Sequence, residues 1–175
     1  MNDNRDNPKR HPAAISGAQL LEQCEMRRGR RSGPGGQHRN KVETAVEFCH
    51  RPTGIRAEAS ERRSQHANRK MAFRRLRVRL AIEVRSEMTI PYRPSSIWLQ
   101  RSRENRLYVS RDHEDFPTVL AEALDVIATC DWDTRTAAHQ LGISSSQLTK
   151  LLKSESAALE KVNAERSTRG LRRLQ

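Results

Sequence analysis

Residues 32–41 have the sequence SGPGGQHRNK, in which three glycines and one proline come directly before Gln37. No carboxylate lies between Glu25 and Glu43, so this segment offers no acidic side chain for general acid or base catalysis. Glycine adopts backbone angles that other residues avoid, and main-chain N–H groups can then approach a substrate closely. The segment therefore predicts chemistry that depends on backbone donors and on positioning.

Two nucleotide-binding patterns do not fit these glycines. A phosphate-binding loop counted from Gly33 requires Gly-Lys where this chain has His38 and Arg39. The G-x-G-x-x-G spacing that follows a strong apolar strand is also missing. The segment is therefore not interpreted as a nucleotide site.

The flanking elements that must position this segment are predicted from hydrophobic periodicity. A short helical turn followed by a strand is expected after Ile15. Two segments of alternating hydrophobicity, VETAVEFCH and IRAEASE, are separated by RPTG and predict a β-hairpin. Alternate residues of each strand are expected on one face (Val42, Thr44, Val46 and Phe48; Ile55, Ala57 and Ala59). From Ser64, a candidate helix cap, a long run without Gly or Pro predicts one helix.

The second half of the chain has a different pattern. Residues 89–116 contain Pro91 and Pro94 and are expected to form a linker, with one short strand at Leu107–Val109. From residue 117 the pattern is helical, with an apolar stripe that repeats at three and four residues (Leu120, Ala123, Leu124, Ile127 and Ala128). The fold class is therefore α+β, with an α-helical C-terminal domain over 117–165 and a basic tail over 166–175. Residues 1–14 read as a disordered arm.

The charge is concentrated in the first half. Lys and Arg number 33 against 21 Asp and Glu, and residues 1–90 hold 20 of the basic and 10 of the acidic side chains. Arginine dominates, and its planar guanidinium suits phosphate groups. This half is expected to bind a polyanion, with nucleic acid favoured over an anionic membrane.

Composition argues against several other classes of protein. The three cysteines are widely spaced and the six histidines lack metal-ligand spacing, so neither a disulfide framework nor a metal site is expected. No signal peptide or membrane span is expected. We predict a soluble, cytoplasmic monomer that needs no cofactor.

Four motifs occur in order: GPGGQ with QH-x-NK, then H-x-PTGI, then RSQ-x-x-N. Over about residues 15–85 they closely resemble the catalytic domain of class I peptide chain release factors and of their short codon-independent relatives. The resemblance predicts a GGQ domain over 15–88, built from a β-hairpin sheet and a long helix. It also implies an activity, hydrolysis of the peptidyl-tRNA ester in the ribosomal peptidyl transferase centre.

The resemblance assigns roles within the loop. Gly35 and Gly36 would hold the backbone shape, and the main-chain N–H of Gln37 would stabilise developing negative charge. The Gln37 side chain would place water, and its nitrogen is a candidate for N5-methylation. The implied partners are peptidyl-tRNA and 23S-type rRNA, with the option of a further rescue partner. Contacts with RNA are predicted for a larger set of residues (Arg27, Arg28, Arg30, Arg31, His38, Arg39, Asn40, Lys41, Arg62, Arg63, Arg169, Arg172 and Arg173).

Some features depart from the family pattern. Arg39 stands where relatives commonly have an apolar residue, and Val42 stands where they commonly have Thr. Residues 1–14 leave no room for a domain that reads stop codons. We therefore expect codon-independent release, in ribosome rescue, with the tail over 166–175 as a short candidate for the mRNA channel.

The segment TRTAAHQLGISSSQLTKLLK has helix-turn-helix spacing around Gly142. It would expose four polar side chains for nucleic acid (Ser145, Ser146, Gln147 and Lys150). A small helical bundle is the preferred interpretation, because residues 117–175 hold only 8 basic against 7 acidic side chains. Two alternative functions stay open: a non-catalytic ribosome- or RNA-binding adaptor that kept the GGQ scaffold, and a DNA-binding regulator.

Overall fold

The computed structural model describes residues 10–29, 44–89 and 91–175. Its contacts divide the chain into two compact units. One unit is Ile15–Leu80, and the other combines Ala81–Gln175 with the described residues up to Ala14. Each is described by itself.

The unit Ile15–Leu80 begins with helix α1, Gly17–Glu22. Its N-cap is Ser16, whose hydroxyl accepts from the N–H of Gln19 at 3.2 Å, completing a capping box with the Gln19 side chain. Strands β1 (Cys24–Gly29), β2 (Ala45–His50) and β3 (Arg56–Ala59) follow. They form one antiparallel sheet in the order β1-β2-β3.

Helix α2, Gln65–Glu83, follows, and its residues up to Leu80 complete this unit. The hydroxyl of Ser64 accepts from the N–H of Ala67 at 3.3 Å, so the predicted start of the helix is confirmed. A row of apolar residues at helical spacing is fully buried (Ala72, Leu76 and Leu80). Phe73 meets Phe48 of β2 edge to face, with 5.6 Å between ring centroids.

The predicted hairpin is also confirmed. Val46 and Phe48 are buried on β2, and Ala57 and Ala59 are buried on β3, as alternation requires. The turn between the strands places Gly54 at a φ of 72°, in the left-handed region that favours glycine.

The second unit is mostly helical. Its elements are α3 (Ser96–Arg101), β4 (Ser102–Arg103), β5 (Arg106–Leu107), α4 (Phe116–Thr129), α5 (Thr134–Gln140), α6 (Ser145–Lys153) and α7 (Ser156–Thr168). Strands β4 and β5 form a two-stranded antiparallel hairpin. Every residue of α4 from Phe116 to Ile127 is buried, so α4 is the central helix of this unit. With the three-stranded sheet of the other unit, this confirms the predicted α+β class with a helical C-terminal part.

The segment predicted as a linker, residues 89–116, contains α3 and the β4-β5 hairpin. Trp98 is buried, and its indole N–H donates to the carbonyl of Leu141 at 3.0 Å. Pro91 and Pro94 favour an extended connection, but the bond from Trp98 to Leu141, 43 residues further along the chain, orders the segment. The short strand expected at Leu107–Val109 is one residue earlier, at Arg106–Leu107.

The arm expected over residues 1–14 is described only from Arg10 onward. Ala13 is fully buried, and its carbonyl accepts from the hydroxyl of Thr118 at 3.1 Å. His11 is buried too, with its Nε2 lying 3.1 Å from the carbonyl of Val84. The last residues of the expected arm are therefore packed within the second unit.

The basic segment 166–175 begins inside α7. Arg166 is 8% exposed and donates to the carbonyl of Trp132 at 2.6 Å and to the carbonyl of Arg172 at 2.8 Å. Asn163 binds both the N–H and the carbonyl of Leu174, at 2.8 and 3.2 Å. The chain is thus held against α7 as far as Leu174. Among the described helices, none combines the length and apolar character that crossing a membrane demands.

Candidate active site

The GGQ segment connects two neighbouring strands. Gly29, the last residue of β1, pairs with Ala45, the first residue of β2. The connection between them therefore starts and ends at the same end of the sheet. Most of the predicted site lies within residues 30–43, outside the described residues (Arg30, Arg31, Gly35, Gly36, Gln37, His38, Arg39, Asn40 and Lys41).

A buried amide holds the end of this connection. Asn68, on the first turn of α2, is completely buried. Its Nδ2 donates to the carbonyl of Thr44 at 2.7 Å and to that of Arg62 at 2.8 Å, and its Oδ1 accepts from the N–H of Arg62 at 2.9 Å. One side chain thus joins the start of β2 to the turn before α2. Sequence reasoning gave Asn68 no role, although its place in RSQ-x-x-N was the available signal.

The H-x-PTG motif forms the turn between β2 and β3. The imidazole of His50 lies between two side chains, with Nε2 3.0 Å from Gln23 Oε1 and Nδ1 2.8 Å from Thr53 Oγ1. Burial lowers the pKa of His50, so the neutral ring is favoured, donating to Gln23 and accepting from Thr53. His50 therefore links the β2-β3 turn to Gln23, the C-cap residue of α1.

Arg62 and Arg63 lie in the turn before α2 and are exposed. The backbone of Arg62 is held by Asn68, and neither guanidinium pairs with a carboxylate of the described residues. Arg27 on β1 is paired with Glu25 at 2.8 Å, on the surface. Among the described residues, no carboxylate therefore competes with phosphate for these two guanidinium groups.

The predicted contacts at the C-terminus belong to the other unit. Arg169 donates to Asp131 at 3.0 Å and to Glu165 at 2.8 Å, and its guanidinium lies 5.5 Å from the ring centroid of Trp132. These contacts leave few Arg169 donors for RNA. Arg172 and Arg173 are exposed. No group of three potential metal ligands occurs in the parts of the chain that the structure describes.

Comparison with known proteins identifies the family of this chain. Residues 20–116 match the RF-1 domain, more than half of the chain, so the protein belongs to the class I peptide chain release factor family. The match extends past the resemblance at residues 15–85 to include α3 and the β4-β5 hairpin.

Individual relatives match over a shorter region. Peptide chain release factor 1 of Xylella fastidiosa is 50% identical over 58 residues, which are 33% of this chain and 16% of that protein. Peptide chain release factor 2 of Acidovorax sp. is 52% identical over 60 residues, which are 34% of this chain and 16% of that protein. The chain therefore matches only about a sixth of the length of these relatives.

Proposed function

We propose that this protein is a ribosome-dependent peptidyl-tRNA hydrolase. The observation that carries the proposal is the sequence GPGGQ at residues 33–37, in a connection that begins and ends on paired strands of a release factor domain. Support comes from Asn68, which holds Thr44 close to the end of that connection. Proteins place reactive loops on rigid scaffolds in this way.

The proposed reaction is ester hydrolysis. Water attacks the ester carbonyl carbon, the ester oxygen leaves with the terminal ribose of the tRNA, and the peptide is released as an acid. The main-chain N–H of Gln37 would stabilise the developing negative charge. Gly35 and Gly36 would allow the backbone to present that N–H. An amide side chain is no general base, so proton transfer is assigned to the ribosome and the tRNA ribose.

Binding is assigned to the basic residues around the loop. Arg62 and Arg63 would contact the phosphates of 23S-type rRNA or of the tRNA, together with the basic residues of the connection (Arg30, Arg31, His38, Arg39, Asn40 and Lys41). We place the protein in the compartment that contains these ribosomes. Gln37 is a candidate for N5-methylation.

We further propose that release does not require a stop codon, as in the short relatives that the loop motifs resemble. The test is release of labelled peptide from three complexes: ribosomes stalled on truncated mRNA, ribosomes with a stop codon in the A site, and large subunits carrying peptidyl-tRNA. We expect release without a stop codon. Release only with a stop codon would contradict rescue, while binding without any release would favour a non-catalytic adaptor.

A further inference from the structure

Helices α5 and α6 form a helix-turn-helix. Gly142, in the turn, has a φ of 65°, and the N–H of Ile143 donates back to the carbonyl of Ala138 at 3.1 Å. Ser144 is the N-cap of α6 and accepts from the N–H of Gln147 at 3.2 Å. The apolar side of α6 is buried (Leu148, Leu151 and Leu152), so its polar side faces outward.

The outward side of α6 lines a shallow groove of about 460 Å³ (Ser145, Ser146, Thr149, Lys150 and Lys153). The lining offers three hydroxyl groups and two ammonium groups, without a carboxylate. Neither lysine forms an ion pair with any residue in the described ranges. The groove is therefore a site of uncompensated positive charge.

The β4-β5 hairpin contacts the beginning of α6. The carbonyl of Asn105 accepts from the N–H of Ser144 at 3.1 Å, and the N–H of Leu107 donates to Gln147 Oε1 at 3.4 Å. Arg103 and Arg106 pair across the hairpin as exposed neighbours. They too form no ion pair within the described part of the chain. The hairpin thus adds two cations on an element that touches α6, beside one exposed carboxylate, Glu104.

The net charge of this unit is low, although the surface of α6 and the β4-β5 hairpin is locally positive. Its carboxylates are mostly engaged elsewhere: Asp115 with Arg101, Asp125 with Arg85, Glu155 with Arg111, and Glu165 with Lys161 and Arg169. Glu122 accepts from the backbone and hydroxyl of Ser95. The preference for a plain helical bundle relied on net charge, which does not describe the α6 surface.

We propose that the groove of α6 and the β4-β5 hairpin bind the sugar-phosphate backbone of duplex RNA. Serine, threonine and lysine side chains suit phosphates and 2′-hydroxyl groups. Base reading usually employs the planar side chains of Arg, Asn or Gln, and α6 carries only Gln147, whose oxygen is occupied by Leu107. The surface is thus suited to an RNA stem of any sequence, and the inference does not depend on peptidyl-tRNA hydrolysis.

The test measures binding of the full chain to a labelled RNA duplex of about 16 base pairs by fluorescence anisotropy across a salt series. We compare wild type with Lys150→Glu/Lys153→Glu and with Arg103→Glu/Arg106→Glu. Each double variant should raise the Kd about tenfold or more. Each should also flatten the slope of log K against log salt by about 2, one unit per lost phosphate contact.

Three controls distinguish RNA binding by this surface from non-specific charge effects, from peptide release and from unfolding. Lys161→Glu makes one such charge reversal on α7, half the charge change of a double variant, at a lysine that pairs with Glu165 at 3.1 Å, and it should leave the Kd within about twofold. Gly36→Ala should bind the duplex like wild type, whatever it does to peptide release. Fluorescence of Trp98 and Trp132, both in this unit, verifies that each variant is folded.

Three results would overturn the proposal. The first is an unchanged Kd in the α6 variant, and the second is an equal loss in Lys161→Glu. The third is that wild type binds a DNA duplex of the same sequence more tightly than the RNA duplex, and that the α6 variant loses this DNA binding. That result would favour a DNA-binding regulator instead.

Discussion

The carboxamide of Asn68 donates to the carbonyl of Thr44 at 2.7 Å, across 24 residues of sequence. Thr44 is the last residue before β2, so this bond holds the chain where the GGQ segment rejoins the sheet. The amide of Asn68 is fully buried and makes two further bonds to Arg62, so its hydrogen-bonding capacity is almost completely used.

Asn68→Ala should destabilise the protein by about 3 kcal/mol, because three part-buried hydrogen bonds to the backbone of Thr44 and Arg62 are lost together. Peptide release should also slow by about 10- to 100-fold in the folded variant, since the loop loses an anchor. Urea unfolding followed by circular dichroism measures the first effect. His66→Ala is the control, because His66 lies on the same turn of α2 and is exposed. Equal unfolding free energies for the two variants would contradict the role given to Asn68.

Burial lowers the pKa of His11 to about 4. The unfolded chain then binds a proton near pH 6.5 while the folded chain does not, so folding stability falls as pH drops from about 6.5 towards 4. His11 contributes about 2 kcal/mol to this loss between pH 7 and 5. Asp125, whose pKa burial raises to about 6, has the opposite slope, and Arg85 lies beside both groups.

The His11 contribution is isolated by His11→Asn, in which the amide oxygen can still accept from the N–H of Ala13. Tryptophan fluorescence during urea unfolding follows the unit that contains His11. The variant should lose less stability than wild type between pH 7 and 5. Identical pH profiles would show that His11 does not titrate as its burial requires.

Arg166 is expected to be structural although it belongs to the basic tail. Arg166→Ala should lower the free energy of unfolding by about 2–3 kcal/mol, because the carbonyls of Trp132 and Arg172 lose a charged donor. Arg173→Ala removes an exposed arginine nearby and should change stability by less than about 0.5 kcal/mol. Thermal unfolding monitored by tryptophan fluorescence compares them. A similar Tm for both variants would contradict this assignment.

The sequence predicts those elements that local chemistry determines. The β2-β3 hairpin follows from alternation and from Gly54, and the α5-α6 turn follows from Gly142 and Ser144, since each signal lies within a few residues of its effect. The candidate loop is recognised for the same reason, because GPGGQ is a contiguous motif.

Long-range contacts are what the sequence does not reveal. Trp98 orders a proline-containing segment through its hydrogen bond to the carbonyl of Leu141. No local sequence pattern predicts this contact. Arg166 resembles a solvent-exposed or RNA-binding cation, but Asp131 and Trp132 both adopt positive φ, of 51° and 64°. That turn directs a buried carbonyl towards α7, and its partner could be found only in three dimensions.

The most direct test of the central claim is the single-turnover rate of peptide release by Gly36→Ala on ribosomes stalled without a stop codon. Gly29→Ala is the matched control, because a Cβ at Gly29 would meet nothing within 4 Å. We predict a rate about 10²- to 10³-fold below wild type for Gly36→Ala, with unchanged ribosome affinity and a near wild-type rate for Gly29→Ala. Equal rates for Gly36→Ala and wild type would contradict catalysis by the GGQ backbone.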